Sequence, residues 1–268
     1  MRLAMLQMEV VHNKEENLRH ARELLEQVSR DGAQIAVLPE MFCCPYSNRY
    51  FREYGEEQGG LAWQMLSQAA QELNLWIVGG SIPELCEGKV YNTSYVFNAE
   101  GAQVAKHRKT HLFDINVEGG QAFRESEVLT PGDQVTVFDT PWGKMGLCIC
   151  FDLRFQELSK LMADKGAQMI VVPAAFNMTT GPAHWELLFR QRAVDNQIFT
   201  LGVAPARNEN AEYVSYGNSI LCDPWGTVVA RAGAEEEVLL AEIDFCRNES
   251  IRRQLPIRRA RRNELYKL

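Results

Sequence analysis

The chain of 268 residues lacks several features that mark whole classes of protein. No apolar run approaches the roughly 20 residues that a membrane helix requires, so we expect no membrane partner. The first ten residues alternate like a short strand and lack the charged and apolar regions of a signal peptide. Without an export signal, the sequence predicts a cytoplasmic location.

Several ligand-binding and catalytic motifs are also missing. Neither glycine-rich phosphate-binding pattern, G-x-G-x-x-G or G-x-x-x-x-G-K-[ST], occurs, and there is no G-x-S-x-G nucleophile turn. His107 and His111 are four residues apart, as helix-borne metal ligands would be, but they straddle the end of a predicted strand and no HExxH motif accompanies them. The sequence therefore predicts no nucleotide, no metal and no other cofactor.

Positive charge is in modest deficit, except at one end of the chain. The formal net charge of -7 argues against nucleic acid as a partner. Residues 246–268 are predicted to form a basic tail that is solvated or contacts another subunit, with an acidic partner as the alternative; its arginines are Arg252, Arg253, Arg258, Arg259, Arg261 and Arg262. The seven cysteines cannot all pair, and most lie in apolar runs, which is typical of reduced thiols in the cytosol.

Apolar periodicity alternates between strand and helix along the whole chain. Asn13 followed by Glu16 has the form of a capping box, and the helix that it starts ends at Gly32. Two hairpins interrupt the alternation, one formed by 90–97 and 102–108 and the other by 135–138 and 144–149. A polar loop at 109–132 is longer than most connections, so we expect it to be functional. With no linker or repeat, we predict one α/β domain of residues 1–268, with two facing sheets and the helices outside.

Three chemically useful side chains end strand-like runs. The run 144–149 ends at Cys150, after which apolar residues recur at helical spacing. A thiol near a helix N-terminus meets a partial positive charge, which favours the thiolate. Glu40 ends the run 36–39 and Lys109 ends the run 103–108. Because ligands in α/β sheets bind beyond the carboxyl ends of strands, these three segments can converge on one cleft.

The three side chains have complementary chemistry. A carboxylate can take the proton of an attacking thiol, and a fixed ammonium with a backbone N–H can hold the negative oxygen of a tetrahedral intermediate. Each residue also has an ordinary interpretation. Glu40 can be a solvated residue after a strand, Lys109 can be part of a basic run, and Cys150 can be a core residue.

Three segments resemble the signature motifs of the nitrilase superfamily, the carbon–nitrogen hydrolases: Leu-Pro-Glu-Met-Phe (38–42), His-Arg-Lys-Thr-His-Leu-Phe-Asp (107–114) and Cys-Ile-Cys-Phe-Asp-Leu-Arg-Phe (148–155). The resemblance spans nearly the whole chain and implies a four-layer α-β-β-α sandwich. It implies Glu40 as general base, Lys109 as stabiliser of the intermediate and Cys150 as the nucleophile that forms a thioester. It further implies Glu125 as a second glutamate that orients Lys109, and the backbone N–H of Phe151 as part of the oxyanion hole.

Within that superfamily the chain resembles the omega-amidase branch, whose substrates are the terminal amides of 2-oxoglutaramate and 2-oxosuccinamate. The resemblance rests on Tyr46 and on the segments 111–115, 123–126, 175–188 and 194–197. The amidase for deaminated glutathione shares Thr-Gly-Pro-Ala-His-Trp-Glu (180–186) and stays an alternative. A different class of alternative is a non-catalytic interaction protein with the same fold. Phe151-Asp152 stand where nitrilases usually carry Trp-Glu, which indicates amide rather than nitrile substrates.

A carboxylate-bearing substrate needs polar partners in the pocket. The candidates are Arg154, Tyr46, Phe176 as a wall, and the donors Asn177, Thr179 and Thr180. Arg154 has the alternative of pairing with Asp152 to shape the turn, and Phe176 has the alternative of a core position. The resemblance also implies a homodimer or larger homo-oligomer.

Overall fold

The structure of the protein is a computed structural model that describes residues 1–266. Its strands, in chain order, are β1 (Arg2–Gln7), β2 (Ile35–Val37), β3 (Trp76–Val78), β4 (Ile82–Cys86), β5 (Lys89–Phe97), β6 (Gln103–Arg108), β7 (Asp114–Asn116), β8 (Ala122–Arg124), β9 (Thr136–Thr140), β10 (Gly143–Leu147), β11 (Met169–Pro173), β12 (Phe199–Val203), β13 (Ile220–Cys222), β14 (Val228–Arg231) and β15 (Glu237–Glu242).

The α-helices are α1 (Lys14–Arg30), α2 (Asn48–Phe51), α3 (Leu61–Leu73), α4 (Gln156–Asp164), α5 (Gly181–Asn196), α6 (Cys246–Gln254) and α7 (Ile257–Ala260), and 3₁₀ helices occupy Glu125–Glu127, Cys150–Arg154 and Asn263–Leu265. The predicted cap of α1 is confirmed in its main contact, because the Asn13 side chain accepts a hydrogen bond from the Glu16 N–H at 2.9 Å. The apolar stripe of α1 is buried, with Leu18, Ala21 and Leu25 facing inward.

Two large sheets carry the fold. The first has the order β15-β1-β2-β3-β5-β4, with β6 also paired to β5, and the second has the order β14-β13-β12-β11-β10-β9. The centre of each sheet is parallel, as β1, β2 and β3 are in one and β10, β11 and β12 in the other. Parallel strands covered on both faces need continuous apolar runs, and β2, β11 and β12 are buried at every position.

The layers are helix, sheet, sheet, helix. Inner-face residues of both sheets form one core, in which Met5 and Val37 of the first sheet pack with Leu147 and Val171 of the second. The outer face of the first sheet packs on α1 and α3, and that of the second sheet packs on α4 and α5. The predicted α/β class and four-layer α-β-β-α sandwich are therefore confirmed.

Some predicted elements differ from the structure. Strand β4 was not predicted, and the polar loop at 109–132 contains the short hairpin β7-β8, which forms a third, two-stranded sheet. Strand β13 has only three residues, because the preceding segment 215–219 turns through positive φ angles at Gly217 and Asn218.

The C-terminal segment predicted as a basic tail, 246–268, begins as a packed helix. Helix α6 buries Asn248 and Ile251, and Arg252 and Arg253 lie in its last turn. Residues 267 and 268 of that segment lie outside the described residues. Among residues 1–266, no helix is both long enough and apolar enough to cross a bilayer.

Candidate active site

The four predicted catalytic side chains meet in one buried cluster. Glu40 lies in the turn after β2, Lys109 directly follows β6, and Cys150 begins the 3₁₀ helix that follows β10. Glu125 begins the 3₁₀ helix after the β7-β8 hairpin. Glu40, Lys109 and Glu125 are fully buried, and Cys150 is 4% exposed. The strand ends thus converge as predicted, while the roles of these residues stay a prediction.

Lys109 bridges the two glutamates. Its Nζ donates to Glu40 Oε1 and to Glu125 Oε1, at 2.9 Å in each case. The hydroxyl of Tyr46 donates to Glu125 Oε1 at 2.5 Å and lies 3.3 Å from Lys109 Nζ. Glu125 Oε2 accepts from the Phe113 N–H at 2.7 Å, which fixes this carboxylate to the start of the hairpin. The ammonium is therefore held between two carboxylates in a geometry that leaves it little freedom.

The charged groups of the cluster change each other's pKa. Burial alone would lower the pKa of Lys109, but the neighbouring charges of Glu125 and Glu40 outweigh it and raise that pKa. Burial raises the pKa of Glu40, although the charge of Lys109 opposes the shift. Lys109 is consequently a permanent cation at neutral pH.

Cys150 has a strained backbone and a protonated resting thiol. Its φ of 47° lies in the left-handed region, which is costly for a residue with a Cβ and is found where surrounding structure holds a functional turn. Burial, reinforced by the charge of Glu40, raises the pKa of Cys150 well above its ordinary value, while the charge of Lys109 and the backbone of Ala175 oppose this shift. Desolvation thus works against the helix N-terminus, which by itself favours the thiolate.

Phe151 lies in the first turn of the same 3₁₀ helix, where backbone N–H groups have no partner within the helix. Its ring packs edge-on against Phe113, with the centroids 5.3 Å apart. The N–H of Phe151, one residue after the thiol, therefore stays the predicted oxyanion donor.

Asp152 organises the turn that carries Cys150. Its carboxylate accepts from the Ile149 N–H at 3.0 Å and from the His111 N–H at 2.8 Å, so it joins the nucleophile's turn to the segment after Lys109. His107 Nε2 lies 3.0 Å from the second carboxylate oxygen. His107 and His111, which are four residues apart in the sequence, therefore both contact the Asp152 carboxylate. In residues 1–266, no group of three or more His, Cys, Asp or Glu side chains is placed to hold a metal ion.

Arg154 does not pair with Asp152, which corrects the structural alternative. Its guanidinium lies 4.8 Å from the ring centre of Phe176 and 5.6 Å from that of Phe151, and its Nη1 is 3.2 Å from His184 Nδ1. Its buried Nε has no hydrogen-bond partner within residues 1–266. Burial lowers the pKa of Arg154. A desolvated cation without a carboxylate is suited to receive an anionic group.

The other predicted substrate contacts are partly occupied by the protein itself. Asn177 Oδ1 accepts from the N–H groups of Thr179 and Thr180 at 3.1 and 2.8 Å, and from the Thr180 hydroxyl at 2.9 Å. Its Nδ2 donates to Gln121 at the tip of the hairpin. Phe176 is buried, with its ring 5.0 Å from that of Trp185. Asn177 therefore shapes the turn before α5, and Phe176 is at once a core residue and a neighbour of Arg154.

A cavity of about 200 Å³ opens beside Glu40. Tyr46, Ala175, Tyr213 and Ser215 form its walls near the cluster. Its outer walls come from two segments on opposite sides, namely Val10, Val11, His12, Asn208, Asn210, Ala211 and Glu212. Of the predicted substrate residues, only Tyr46 lines it.

Two site residues were missed by the sequence reasoning. Asn92 of β5 is fully buried and its Nδ2 donates to Glu40 Oε1 at 2.8 Å. Tyr213 stacks on Tyr46 with ring centres 4.5 Å apart, and its hydroxyl donates to the Ala175 carbonyl. An amide at an inward position of an alternating strand was a usable signal for Asn92, whereas Tyr213 lies in an irregular segment with no pattern to reveal it.

The family model for carbon–nitrogen hydrolases matches residues 2–253. The chain therefore belongs to the carbon–nitrogen hydrolase family of the nitrilase superfamily. It is an enzyme that hydrolyses amides.

Relatives of this family resemble the chain over its full length. The omega-amidase NIT2-A of Xenopus laevis is 52% identical over 265 residues, which are 99% of this chain and 96% of the relative. The omega-amidase NIT2 of Homo sapiens is 47% identical over the same shares. The solved structure of Saccharomyces cerevisiae Nit3, described as a member of branch 10 of the nitrilase superfamily, has a TM-score of 0.90 and 42% identity, covering 98% of this chain and 96% of its own.

Proposed function

We propose that this protein is an omega-amidase that hydrolyses the terminal amide of small carboxylate-bearing substrates such as 2-oxoglutaramate and 2-oxosuccinamate. The observation that carries the proposal is the buried contact of Cys150, Glu40 and Lys109, which supplies a nucleophile, a base and a fixed cation at one point. The full-length similarity to omega-amidases supports the choice of branch.

In the first half of the proposed reaction, the Cys150 sulfur attacks the amide carbonyl carbon while Glu40 accepts the thiol proton. The carbonyl oxygen becomes an oxyanion, held by Lys109 and by the backbone N–H of Phe151. When the intermediate collapses, the carbon–nitrogen bond breaks and Glu40 returns its proton to the departing ammonia. A thioester between Cys150 and the acyl group remains.

In the second half, Glu40 removes a proton from a water molecule, whose oxygen attacks the thioester carbon. Lys109 and the Phe151 N–H hold the oxyanion again. The carbon–sulfur bond then breaks, and the proton on Glu40 restores the Cys150 thiol as the acid product leaves. Glu125 acts through Lys109, because it accepts from that ammonium and is itself anchored by Tyr46 and Phe113.

We propose Arg154 as the partner of the substrate's own carboxylate. Its guanidinium is half-buried against Phe176 and Phe151, and its Nε lacks a partner within residues 1–266. Charge-assisted bonds to such a guanidinium are the strong class of hydrogen bond. Tyr46, Phe176, Asn177, Thr179 and Thr180 complete the proposed surroundings of the substrate.

The alternative substrate is deaminated glutathione, in which the same 2-oxo acyl group is bonded to cysteinylglycine instead of to NH₂. The similarity to omega-amidases over nearly the whole chain favours the shorter oxo-acid amides over this peptide-sized substrate.

The proposal includes a homodimer in the cytoplasm. Exposed Leu187 on α5 and exposed Trp225 form an apolar surface of the kind that partners cover. All seven cysteines are free, which suits a reducing compartment.

The decisive experiment measures ammonia release from 2-oxoglutaramate, glutamine and a simple nitrile, and release of the 2-oxo acid and cysteinylglycine from deaminated glutathione, with Cys150→Ala beside the wild type. We expect the highest kcat/KM on 2-oxoglutaramate and loss of activity in the variant. Preference for deaminated glutathione would support the alternative branch. Near-wild-type amidase activity in Cys150→Ala would exclude the thioester mechanism, and inactivity on every amide would favour a non-catalytic interaction protein.

A further inference from the structure

Asn92 is a buried polar side chain that the proposed mechanism does not use. It lies on β5, is fully buried, and its Nδ2 donates to Glu40 Oε1 at 2.8 Å. Its own Oδ1 finds no hydrogen-bond donor in the part of the chain that the structure describes. A buried amide with one end unsatisfied destabilises a core position relative to an apolar residue of similar shape. Its presence therefore calls for a reason other than stability.

The contacts of Asn92 suggest that reason. Glu40 Oε1 receives Asn92 Nδ2 and Lys109 Nζ at 2.8 and 2.9 Å, and the Tyr46 hydroxyl at 3.5 Å. Glu40 Oε2 has no hydrogen-bond partner among residues 1–266. The thiol of Cys150 lies close enough for Glu40 and Cys150 to shift each other's pKa. The two oxygens of the Glu40 carboxylate thus differ, because Oε1 is held by the protein and Oε2 is free to accept a proton.

Asn92 also fixes the cation of the site. Its backbone carbonyl accepts the Lys109 N–H at 2.8 Å, where the end of β6 lies beside the first half of the antiparallel strand β5. One residue therefore contacts the base through its side chain and the lysine through its main chain. The orientation of the amide follows from its partner, because an ionised carboxylate accepts hydrogen bonds and only the NH₂ end can donate.

We propose that Asn92 is a positioning residue that fixes Glu40, holding Oε1 in place so that Oε2 is presented to Cys150 as the proton acceptor. The inference rests on the proposed role of Glu40 as base. Removing the donor withdraws a hydrogen bond from the charged form of the carboxylate, so Glu40 must protonate at higher pH. The other titratable groups that face Glu40 are Lys109, Glu125, Cys150, Tyr46 and Tyr213, and all stay in place in the variant.

The test is the pH dependence of Asn92→Ala against a matched control, Asn248→Ala. Asn248 of α6 is also fully buried, donates through Nδ2 to the Gln168 carbonyl and side chain, and has an Oδ1 without a donor within residues 1–266. It differs from Asn92 in lying away from the cluster. Asn92→Ser serves as a second variant with a smaller change, and thermal unfolding confirms that each protein is folded.

Two readouts are recorded from about pH 4 to pH 10: kcat/KM for 2-oxoglutaramate, and the iodoacetamide alkylation rate of the peptide that contains Cys150, followed by mass spectrometry. For Asn92→Ala we expect the acid limb of both profiles to move up by about one to two pH units, as loss of a hydrogen bond to a charged group implies. The plateau of kcat/KM at high pH should also fall, by about 10- to 100-fold, because Glu40 is no longer held in one orientation.

An acid limb that stays in place while the rate falls equally at every pH would overturn the proposal, since a purely structural role predicts that pattern. An equal shift in Asn248→Ala would overturn it too. The alkylation readout needs no substrate, so a shifted alkylation limb without amidase activity would support the role of Asn92 while contradicting the omega-amidase proposal.

Discussion

Replacing Asp152 with asparagine should uncouple the nucleophile from the lysine while leaving both residues in the chain. The Asp152 carboxylate accepts from the Ile149 N–H at 3.0 Å, from the Thr110 hydroxyl at 2.6 Å and from His111 Nδ1 at 2.7 Å. It thereby ties the residue before Cys150 to the residues after Lys109. Asparagine has the same shape but offers one oxygen and one NH₂ group, so it cannot accept on both sides.

The magnitude follows from which contacts are lost. Thr110 and His111 donate most of their hydrogen bonds to Asp152 Oδ1. The side-chain oxygen of the asparagine should therefore occupy the Oδ1 position. Its NH₂ then faces His107 Nε2, which can change tautomer, and the Ile149 N–H, which cannot. Losing a charge-assisted bond and leaving a buried N–H without an acceptor should lower the free energy of unfolding by about 2–4 kcal/mol. For a chain of this size that corresponds to roughly 5–15 °C in Tm.

The catalytic effect should exceed what stability alone explains. Cys150 sits at a φ of 47°, a conformation that persists only while its surroundings hold it. A displacement of about 1 Å at a reacting group lowers the rate by roughly 100-fold. We therefore expect kcat for 2-oxoglutaramate to fall about 10- to 100-fold at a temperature where the variant is fully folded, with little change in KM.

The pH dependence of stability gives a second check. Burial alone would raise the pKa of Asp152, but hydrogen bonds from His107 and His111 outweigh it and lower that pKa below its ordinary value of 3.8. A carboxyl group with a lowered pKa in the fold contributes stability above its ordinary value and loses it as the pH falls below that value. The difference in unfolding free energy between wild type and Asp152→Asn should therefore narrow below pH 3.8.

The matched control is Asp223→Asn. Asp223 is also buried, caps its turn by accepting from Trp225 and Thr227 N–H groups, and pairs with Arg247, but it belongs to the turn between β13 and β14. The Asp223→Asn variant should have a lower free energy of unfolding than the wild type and the same kcat. The reasoning would be refuted if urea unfolding and steady-state kinetics showed wild-type kcat in Asp152→Asn, or an equal loss of kcat in both variants.

Two further substitutions test the charges of the site. Lys109→Met should lower kcat about 100- to 1,000-fold, as removal of an oxyanion partner does, and should lower the unfolding free energy by about 3–5 kcal/mol because Glu40 and Glu125 lose their shared cation. Steady-state kinetics and thermal unfolding measure both, and a kcat within threefold of wild type would contradict the role of Lys109. Arg154→Ala should raise KM for 2-oxoglutaramate about 10- to 150-fold, as loss of a charge-assisted contact implies, with little change for a neutral amide. Arg190→Ala, on the outer side of α5, is its control, and an equal rise in KM for both substrates would argue against carboxylate recognition.

The convergence of the predicted catalytic residues could be predicted because it depends on local sequence patterns. Each of Glu40, Lys109 and Cys150 ends a run of apolar or alternating residues, and strand ends that share a sheet edge come together whatever the rest of the chain does. The strands at 90–97 and 102–108 were placed to within a residue for the same reason.

What the sequence could not reveal is set by contacts between distant segments. The pKa of Cys150 depends on its burial and on the charges of Glu40 and Lys109, which come from distant segments and are not visible at positions 144–155. The sequence suggested the neighbouring Arg154 as a partner for Asp152, whereas its partners Thr110 and His111 lie about 40 residues away. The hairpin β7-β8 has only three residues in each strand, too few for periodicity to register.

The protonated resting thiol fits the proposed mechanism better than a thiolate would. Glu40, Glu125 and Lys109 carry two negative charges and one positive charge inside the protein, and a thiolate would add a third negative charge to a region with little water. If the proton passes from Cys150 to Glu40 during attack, the total charge of the cluster stays constant. The negative charge moves from the Glu40 carboxylate to the oxyanion, next to Lys109 and the Phe151 N–H. Lys109 is hydrogen-bonded to Glu40 before the reaction begins. Its positive charge can therefore stabilise both the initial carboxylate and the oxyanion that forms from the substrate.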